Sequence, residues 1–396
     1  MPTARKMKEV SNRASLADLA VWLTDCLDAK QPLPKVFDGY CNRLLDAGLP
    51  LFRVTLGLET LHPEDSGTML TWRDGALARR DIRRAGLLHS DDYLTSPTWV
   101  VDQTGRPFRW RAGLATETLP LIEELVANGM TDYIMLPLPF LDDTRTATMS
   151  YATRAAGGFD DTAIDLITRA TTLISPVAER VVLRRIALDL LAAYVGPDAG
   201  RRVYEGRIER GDVETVMAAV LVADLRGFTA LSERLPRREV VALLNRWFDA
   251  LGQAIADQGG EILKFMGDGL LAVFPGAPQD TCARALRAAR QALSGTDRLA
   301  GQLEAEGAGR IACGVALHIG EVELGNIGTR QRLDFTVIGP AVNHASRLQD
   351  LTKTLGEPIL ASADFAAACP GALRPVGTHA LRGVATPVQV FAPAAP

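Results

Sequence analysis

Apolar positions recur at helical spacing near the start of the chain. Leu16, Leu19, Ala20, Leu23 and Leu27 share one face and predict an amphipathic helix over 13–29. A second, shorter helix is expected over 34–47. Strand-like runs follow at 51–61, 68–72, 131–139 and 146–154, with a helical stretch over 118–128 before the third of them. Strands and helices thus mix in an α+β pattern of ordinary domain size. Gly157-Gly158 closes this block, and Asp160-Asp161 opens a long helical segment. There Ile167, Ile174, Val181 and Leu188 recur every seventh residue, with Ala170, Val177 and Leu191 in the companion seam. Arg184 falls in the same seam, so the segment reads equally as a coiled coil or as a terminal helix packed on its own domain. Pro176 predicts a kink, or a restart capped by Ser175.

Gly196-Pro197 breaks that helix, and a polar stretch over 201–214 leads into the apolar run Val216–Ala223. A run that is apolar throughout fits a strand covered on both faces. It ends in Asp224, followed by Leu225-Arg226-Gly227-Phe228-Thr229. A carboxylate at such a strand end can hold a divalent cation, and the free amides of the turn can meet phosphate oxygens. A helix over 237–256 carries an apolar stripe of Val240, Leu244, Trp247, Phe248, Leu251 and Ile255, and Gly259-Gly260 stops it. Two apolar runs then flank Met266-Gly267-Asp268-Gly269, the pattern of a β-hairpin with Asp268 at its tip. If this hairpin lies beside the strand ending in Asp224, the two carboxylates together suit a pair of metal ions. Further on, Asn343 and Arg347 stand four apart on a predicted helix and so share a face.

Composition narrows the function classes. The 396 residues are 47% apolar and 23% charged, as in a globular protein, and allow two domains. The net charge of −4 provides no field for nucleic acid. The longest apolar runs, at 216–223 and 133–141, are too short to span a bilayer. Arg5, Lys6 and Lys8 are followed by Asp18 and Asp25 rather than an unbroken apolar run, so no secretory leader is expected. The five cysteines form no CxxC pair, which predicts reduced thiols in a cytoplasmic protein. His318 and His344 read as packing or surface residues.

Three segments, Ala223–Thr229, Lys264–Asp268 and Phe335–Arg347, together resemble the class III adenylate and guanylate cyclases in order and spacing. The resemblance runs over roughly 205–393. It implies a ferredoxin-like α+β domain working as a homodimer with shared sites, metals from one subunit and base and transition-state residues from the other. By the same resemblance Asp224 and Asp268 are ligands of two divalent ions (Mg²⁺ or Mn²⁺), and Leu225 adds its backbone carbonyl. Lys264 and Thr336 read the purine, Asn343 orients the ribose and Arg347 stabilises the transition state. Phe228 and Thr229 lie in the turn beside the phosphates. Arg382 corresponds to a triphosphate-binding lysine, with Arg330 and Arg332 as alternatives. A donor at Lys264 faces the acceptor N1 of adenine, so ATP is the expected substrate and cyclic AMP the product. Threonine at 336 marks a subgroup often called class IIIb, some of whose members respond to bicarbonate. Pro340 departs from the acidic or amide residue common there and is compatible with a first helical turn.

The expected organisation is an N-terminal regulatory domain over 1–158, a helical linker over 159–204 and the cyclase domain over 205–396. The first of these is similar in element order to GAF-type sensors, with an unidentified small molecule or protein as its signal. Neither nucleic acid nor a membrane span is implied. The alternatives are a catalytically inactive nucleotide-binding or dimerisation module, and a guanylate cyclase. A diguanylate cyclase would need a GGDEF-like hairpin where this chain has Met-Gly-Asp-Gly.

Overall fold

The computed structural model describes residues 2–61, 65–83, 89–114, 118–141, 147–307, 309–384 and 386–394. The chain divides into two compact units, Met1–Ala193 and Tyr194–Pro396.

The first unit contains α1 (Pro2–Asp28), α2 (Leu33–Asp46), β1 (Arg53–Glu59), β2 (Asp65–Arg73), β3 (Ala76–Arg83), α3 (Asp91–Leu94), α4 (Pro97–Thr104), β4 (Phe108–Arg111), α5 (Pro120–Ala127), β5 (Asp132–Pro137), β6 (Ala147–Thr153) and α6 (Asp161–Val195). The strands form one antiparallel sheet in the order β3-β2-β1-β6-β5-β4. Alternate residues of β5 supply its two faces: Ile134 and Leu136 enter the core with α1, α2 and α6, while Tyr133 and Met135 enter the core with α4 and α5. The Tyr40 and Tyr151 hydroxyls meet at 2.7 Å, and Tyr151 meets Thr171 at 2.7 Å, so one chain of hydrogen bonds ties α2, β6 and α6. The fully buried Asp132 is held by the Arg109 guanidinium at 2.7 Å and by the Phe159 amide at 2.9 Å.

The heptad positions Ile167, Ala170, Ile174 and Val177 of α6 are buried in this unit's own core. The helix continues through Pro176 without a restart, and Ser175 caps nothing: its hydroxyl donates to the Pro139 carbonyl at 3.0 Å. The expected restart fails because Ser175 is buried, and its hydroxyl takes a neighbouring carbonyl as partner. β3, rich in arginine and largely exposed, lacks the alternation that sequence patterning relies on. Thr146, the expected start of one strand, lies outside the described residues.

The second unit contains α7 (Pro197–Tyr204), β7 (Val213–Arg226), α8 (Phe228–Arg234), α9 (Arg237–Asp257), β8 (Glu261–Met266), β9 (Gly269–Pro275), α10 (Pro278–Ala305), β10 (Ala312–Gly328), β11 (Leu333–Ile338), α11 (Pro340–Leu355), β12 (Ile359–Ser362), α12 (Ala363–Ala368), β13 (Leu373–His379) and β14 (Val388–Pro393). The sheet runs β13-β14-β12-β10-β7-β9-β8, with β11 paired to β10. β7 is central and covered on both faces, which explains its unbroken apolar run. Ala219, Leu221, Ala223 and Leu225 pack toward α9 and α10, whereas Ala218, Val220 and Val222 pack in the core that includes Ala341 and Ala345 of α11.

Helix α11 crosses β10 closely at two glycines. A Cβ on Gly320 would come within 2.9 Å of the Ala341 Cβ, and one on Gly314 would collide with the Thr352 side chain. Arg226, at the end of β7, donates to the carbonyls of Thr352 in the last turn of α11 at 3.0 Å and of Glu357 just beyond the helix at 2.7 Å. All five cysteines are buried free thiols. No helix among the described residues is long and apolar enough to cross a membrane.

The Asp132 pair gives a direct test of the first unit. Removing one partner strands a buried charge, at a cost of about 3 kcal/mol. Arg109→Ala is therefore expected to lower the stability of this unit by that amount in urea titrations followed by circular dichroism, while Arg79→Ala, at an exposed pair with Asp81, changes it by less than about 1 kcal/mol.

Candidate active site

Asp224 lies between two glycines in the sheet, paired with Gly314 on one side and Gly269 on the other. A side chain at Gly269 would press on the Ala223 carbonyl and approach the Asp224 carboxylate, so glycine keeps this corner open. The turn Met266–Gly269 closes against β7 through the Leu225 amide, which donates to the Asp268 carbonyl at 3.1 Å. Gly267 takes the left-handed conformation that the turn requires (φ 66°). Asp224 and Asp268 are thereby neighbours. Burial, and then the negative charge of Asp224, push the Asp268 carboxyl above its ordinary range. After Gly227, also left-handed, the chain enters α8 at once; Phe228 packs against the core and Thr229 is exposed.

A cation stands against this carboxylate pair. The Lys353 ammonium, from the last turn of α11, donates to Asp224 Oδ2 at 3.0 Å, and this bond raises the lysine's affinity for its proton. Lys353 is 129 residues from Asp224 in sequence, so no local pattern marks it. The Asp224 and Asp268 carboxylates offer only oxygen donors. That chemistry suits a hard divalent ion whose remaining ligands come from water and phosphate.

Lys264, on β8, reaches across to β11 and forms an ion pair with Asp334 at 2.7 Å; both side chains are about half exposed. Thr336 follows Asp334 on the same side of β11, while Phe335 and Val337 between and beyond them are buried. The alternation along β11 was the signal that could have linked Asp334 to Lys264. Large apolar side chains surround this region in the open: Phe265, Met266, Leu333 and Ile338 are all exposed.

Asn343 and Arg347 occupy the first half of α11, with Asn343 exposed and Arg347 half-buried. The Gly383 backbone lies beside the Arg347 guanidinium, which a Cβ there would approach to 3.4 Å. Arg382 is thus brought to the same neighbourhood, and it is exposed. Arg330 and Arg332 remain exposed in the turn before β11. No hydrogen bond or ion pair among the described residues links Asn343, Arg347 or Lys264 to the Asp224–Asp268 corner. At the ordinary helical rise, Asn343 and Lys353 are about 15 Å apart along α11.

Residues 212–358 match the adenylate and guanylate cyclase catalytic domain family. These residues thus form a class III adenylate and guanylate cyclase domain. It is 38% identical to an adenylate cyclase of Anabaena cylindrica over 154 residues, 39% of this chain and 31% of that one. It is 28% identical to adenylate cyclase 1 of Rhizobium meliloti over 293 residues, 70% of this chain and 43% of that one. The chain therefore spans less than half the length of these relatives. Among solved structures it is similar to the adenylyl cyclase CyaB from P. aeruginosa (27% identity, TM-score 0.44, 47% of this chain and 97% of that one). It is likewise similar to the guanylyl cyclase Cya2 (31% identity, TM-score 0.42, 46% of this chain and 96% of that one).

Beneath α11, the His318 and His344 rings stack at 4.4 Å, and His318 Nδ1 meets the Ser362 hydroxyl at 2.7 Å. Burial, and then the neighbouring His344, push His318 down to about 4. An unfolded histidine titrates near 6.5. Between these values the unfolded chain binds the extra proton, so the stability that neutral His318 contributes is present above about 6.5 and is lost as pH falls toward about 4. His318→Gln is expected to lose less stability than wild type over this window, measured by urea denaturation at stepped pH. Parallel wild-type and variant curves would show that His318 does not carry the effect.

Proposed function

We propose that this protein is an adenylate cyclase that converts ATP to 3′,5′-cyclic AMP and pyrophosphate at sites shared between two copies of the chain. The observation that carries this reading is the meeting of Asp224 and Asp268 at one oxygen-lined corner, within a domain of the cyclase family. Divalent ions bound there would lower the pKa of the attacking hydroxyl and neutralise phosphate charge.

The chain's own residues do the rest. The ribose 3′-oxygen forms its bond to the α-phosphorus as the bond to pyrophosphate breaks. Asn343 orients the ribose. Arg347, with its planar fork of donors, meets the charge developing on the phosphate oxygens. Arg382, close to Arg347 and exposed, holds the triphosphate tail. Lys264 donates to adenine N1, and the Thr336 hydroxyl accepts from the exocyclic amine. A guanine would present a hydrogen at N1 to Lys264, which favours ATP over GTP.

The homodimer reading has two supports. Asn343 lies about 15 Å along α11 from Lys353, which reaches the carboxylate corner, and no hydrogen bond or ion pair among the described residues links Asn343 or Arg347 to that corner. The exposed Phe265, Met266, Leu333 and Ile338 surround Lys264 and Asp334, as a covered interface would require. The first unit serves as the regulatory part, responding to a small molecule or a protein.

Complementation tests the shared site. Asp224→Ala and Arg347→Ala are each expected to lower cyclic AMP formation from ATP and Mn²⁺ by at least about a hundredfold. Mixed under conditions of subunit exchange, they rebuild one intact site per heterodimer and restore a substantial fraction of wild-type activity. No recovery despite confirmed exchange would refute the shared site.

The base contacts are tested by Lys264→Glu together with Thr336→Cys. Reversing the polarity leaves polar groups mispaired, at about 1–3 kcal/mol each. The ratio of kcat/KM for ATP over GTP is therefore expected to fall at least about tenfold. An unchanged ratio would remove these two residues from purine reading.

A further inference from the structure

Lys353 is absorbed neither by the fold nor by the proposed chemistry. Its ammonium donates to Asp224 Oδ2 at 3.0 Å, while its side chain remains about half exposed. An ion pair so open to water contributes little to stability, yet its backbone is fixed with care. Arg226 holds the carbonyls of Thr352 and Glu357 on either side of it, and Thr352 packs where Gly314 leaves room. The head is therefore free to move on its flexible stem while its root is not. Asp350 stands one helical turn earlier, with its charge felt at Lys353, and offers a second acceptor when the head withdraws.

We infer that Lys353 is a tethered counter-ion that occupies the cation position of the Asp224–Asp268 corner and must be displaced when a divalent ion enters. This rests on the two-carboxylate reading of the site. The ammonium and a metal ion compete for the same Asp224 oxygen, so each weakens the hold of the other. In the free protein the lysine offsets the repulsion between the two carboxylates and keeps them aligned. It also sets the metal concentration at which the corner fills.

The test is Mn²⁺ binding to the full chain without nucleotide, followed by the electron paramagnetic resonance of free Mn²⁺. Lys353→Met is expected to bind Mn²⁺ about two- to tenfold more tightly than wild type, because a charge competing at an exposed site is removed. Lys353→Arg, which keeps the charge, is expected to stay near wild type. Asp224→Asn is expected to lose most of the binding, and adding Lys353→Met to it is expected to change nothing further. Unchanged or weaker binding in Lys353→Met, with binding still dependent on Asp224, would overturn the counter-ion and leave the two-carboxylate reading standing. Binding in Asp224→Asn equal to wild type would overturn both. Thermal melts of each variant establish that the fold is intact.

Discussion

Two carboxylates held side by side in a partly buried corner repel each other, and much of the second unit answers to that repulsion. Asp224 follows the buried apolar run of the central strand β7, and the Asp268 turn closes beside it with a backbone hydrogen bond from Leu225. The backbone thus leaves neither residue room to retreat. The electrostatic cost is carried by Asp268, whose carboxyl is pushed up by burial and by its neighbour, and it is partly offset by Lys353. Positive charge in such a corner relieves the repulsion without protonating Asp268, and that preference links the geometry to metal and phosphate chemistry.

The same corner explains why α11 must cross β10 so closely. Lys353 reaches Asp224 only if the end of the helix lies against the sheet, and a side chain larger than hydrogen at Gly314 or Gly320 would lift it away. Arg226 closes the arrangement from the strand side by donating to the carbonyls at the end of the helix. Its place directly after Asp224 and Leu225 is therefore structural: it joins the strand that carries one carboxylate to the helix that carries Lys353, Asn343 and Arg347.

Motifs whose members are close in sequence were legible before the fold was known. The strand ending in Asp224, the hairpin tip at Asp268 and the Asn343–Arg347 spacing all follow from local periodicity and turn chemistry. The long helix after Asp160 was legible as a helix. Whether its heptads faced a partner or its own sheet was not, because both demand the same apolar seam; in the structure the first half of the seam packs on its own sheet. Lys353 escaped notice because its partner Asp224 is 129 residues away, and Asp334 because the alternation that places it beside Thr336 does not say which strand faces it. The exposed, arginine-rich β3 escaped because edge strands need not alternate.

The separation along α11 gives the domain its division of labour. A helix is rigid, so the roughly 15 Å between Asn343 and Lys353 is fixed. Asn343 and Arg347 face outward near the start, and Lys353 is committed to Asp224 near the end. In the proposed reading a single chain presents two half-sites of opposite character, one acidic and suited to cations, the other basic and suited to base, ribose and phosphate. The exposed apolar side chains around Lys264 provide the surface on which a second copy would bring the unlike halves together. In the proposed dimer each nucleotide reads one chain's base and arginine contacts against the other chain's carboxylates. Any signal that shifts one chain against the other would then act on the distance between those halves, with no change needed inside either one.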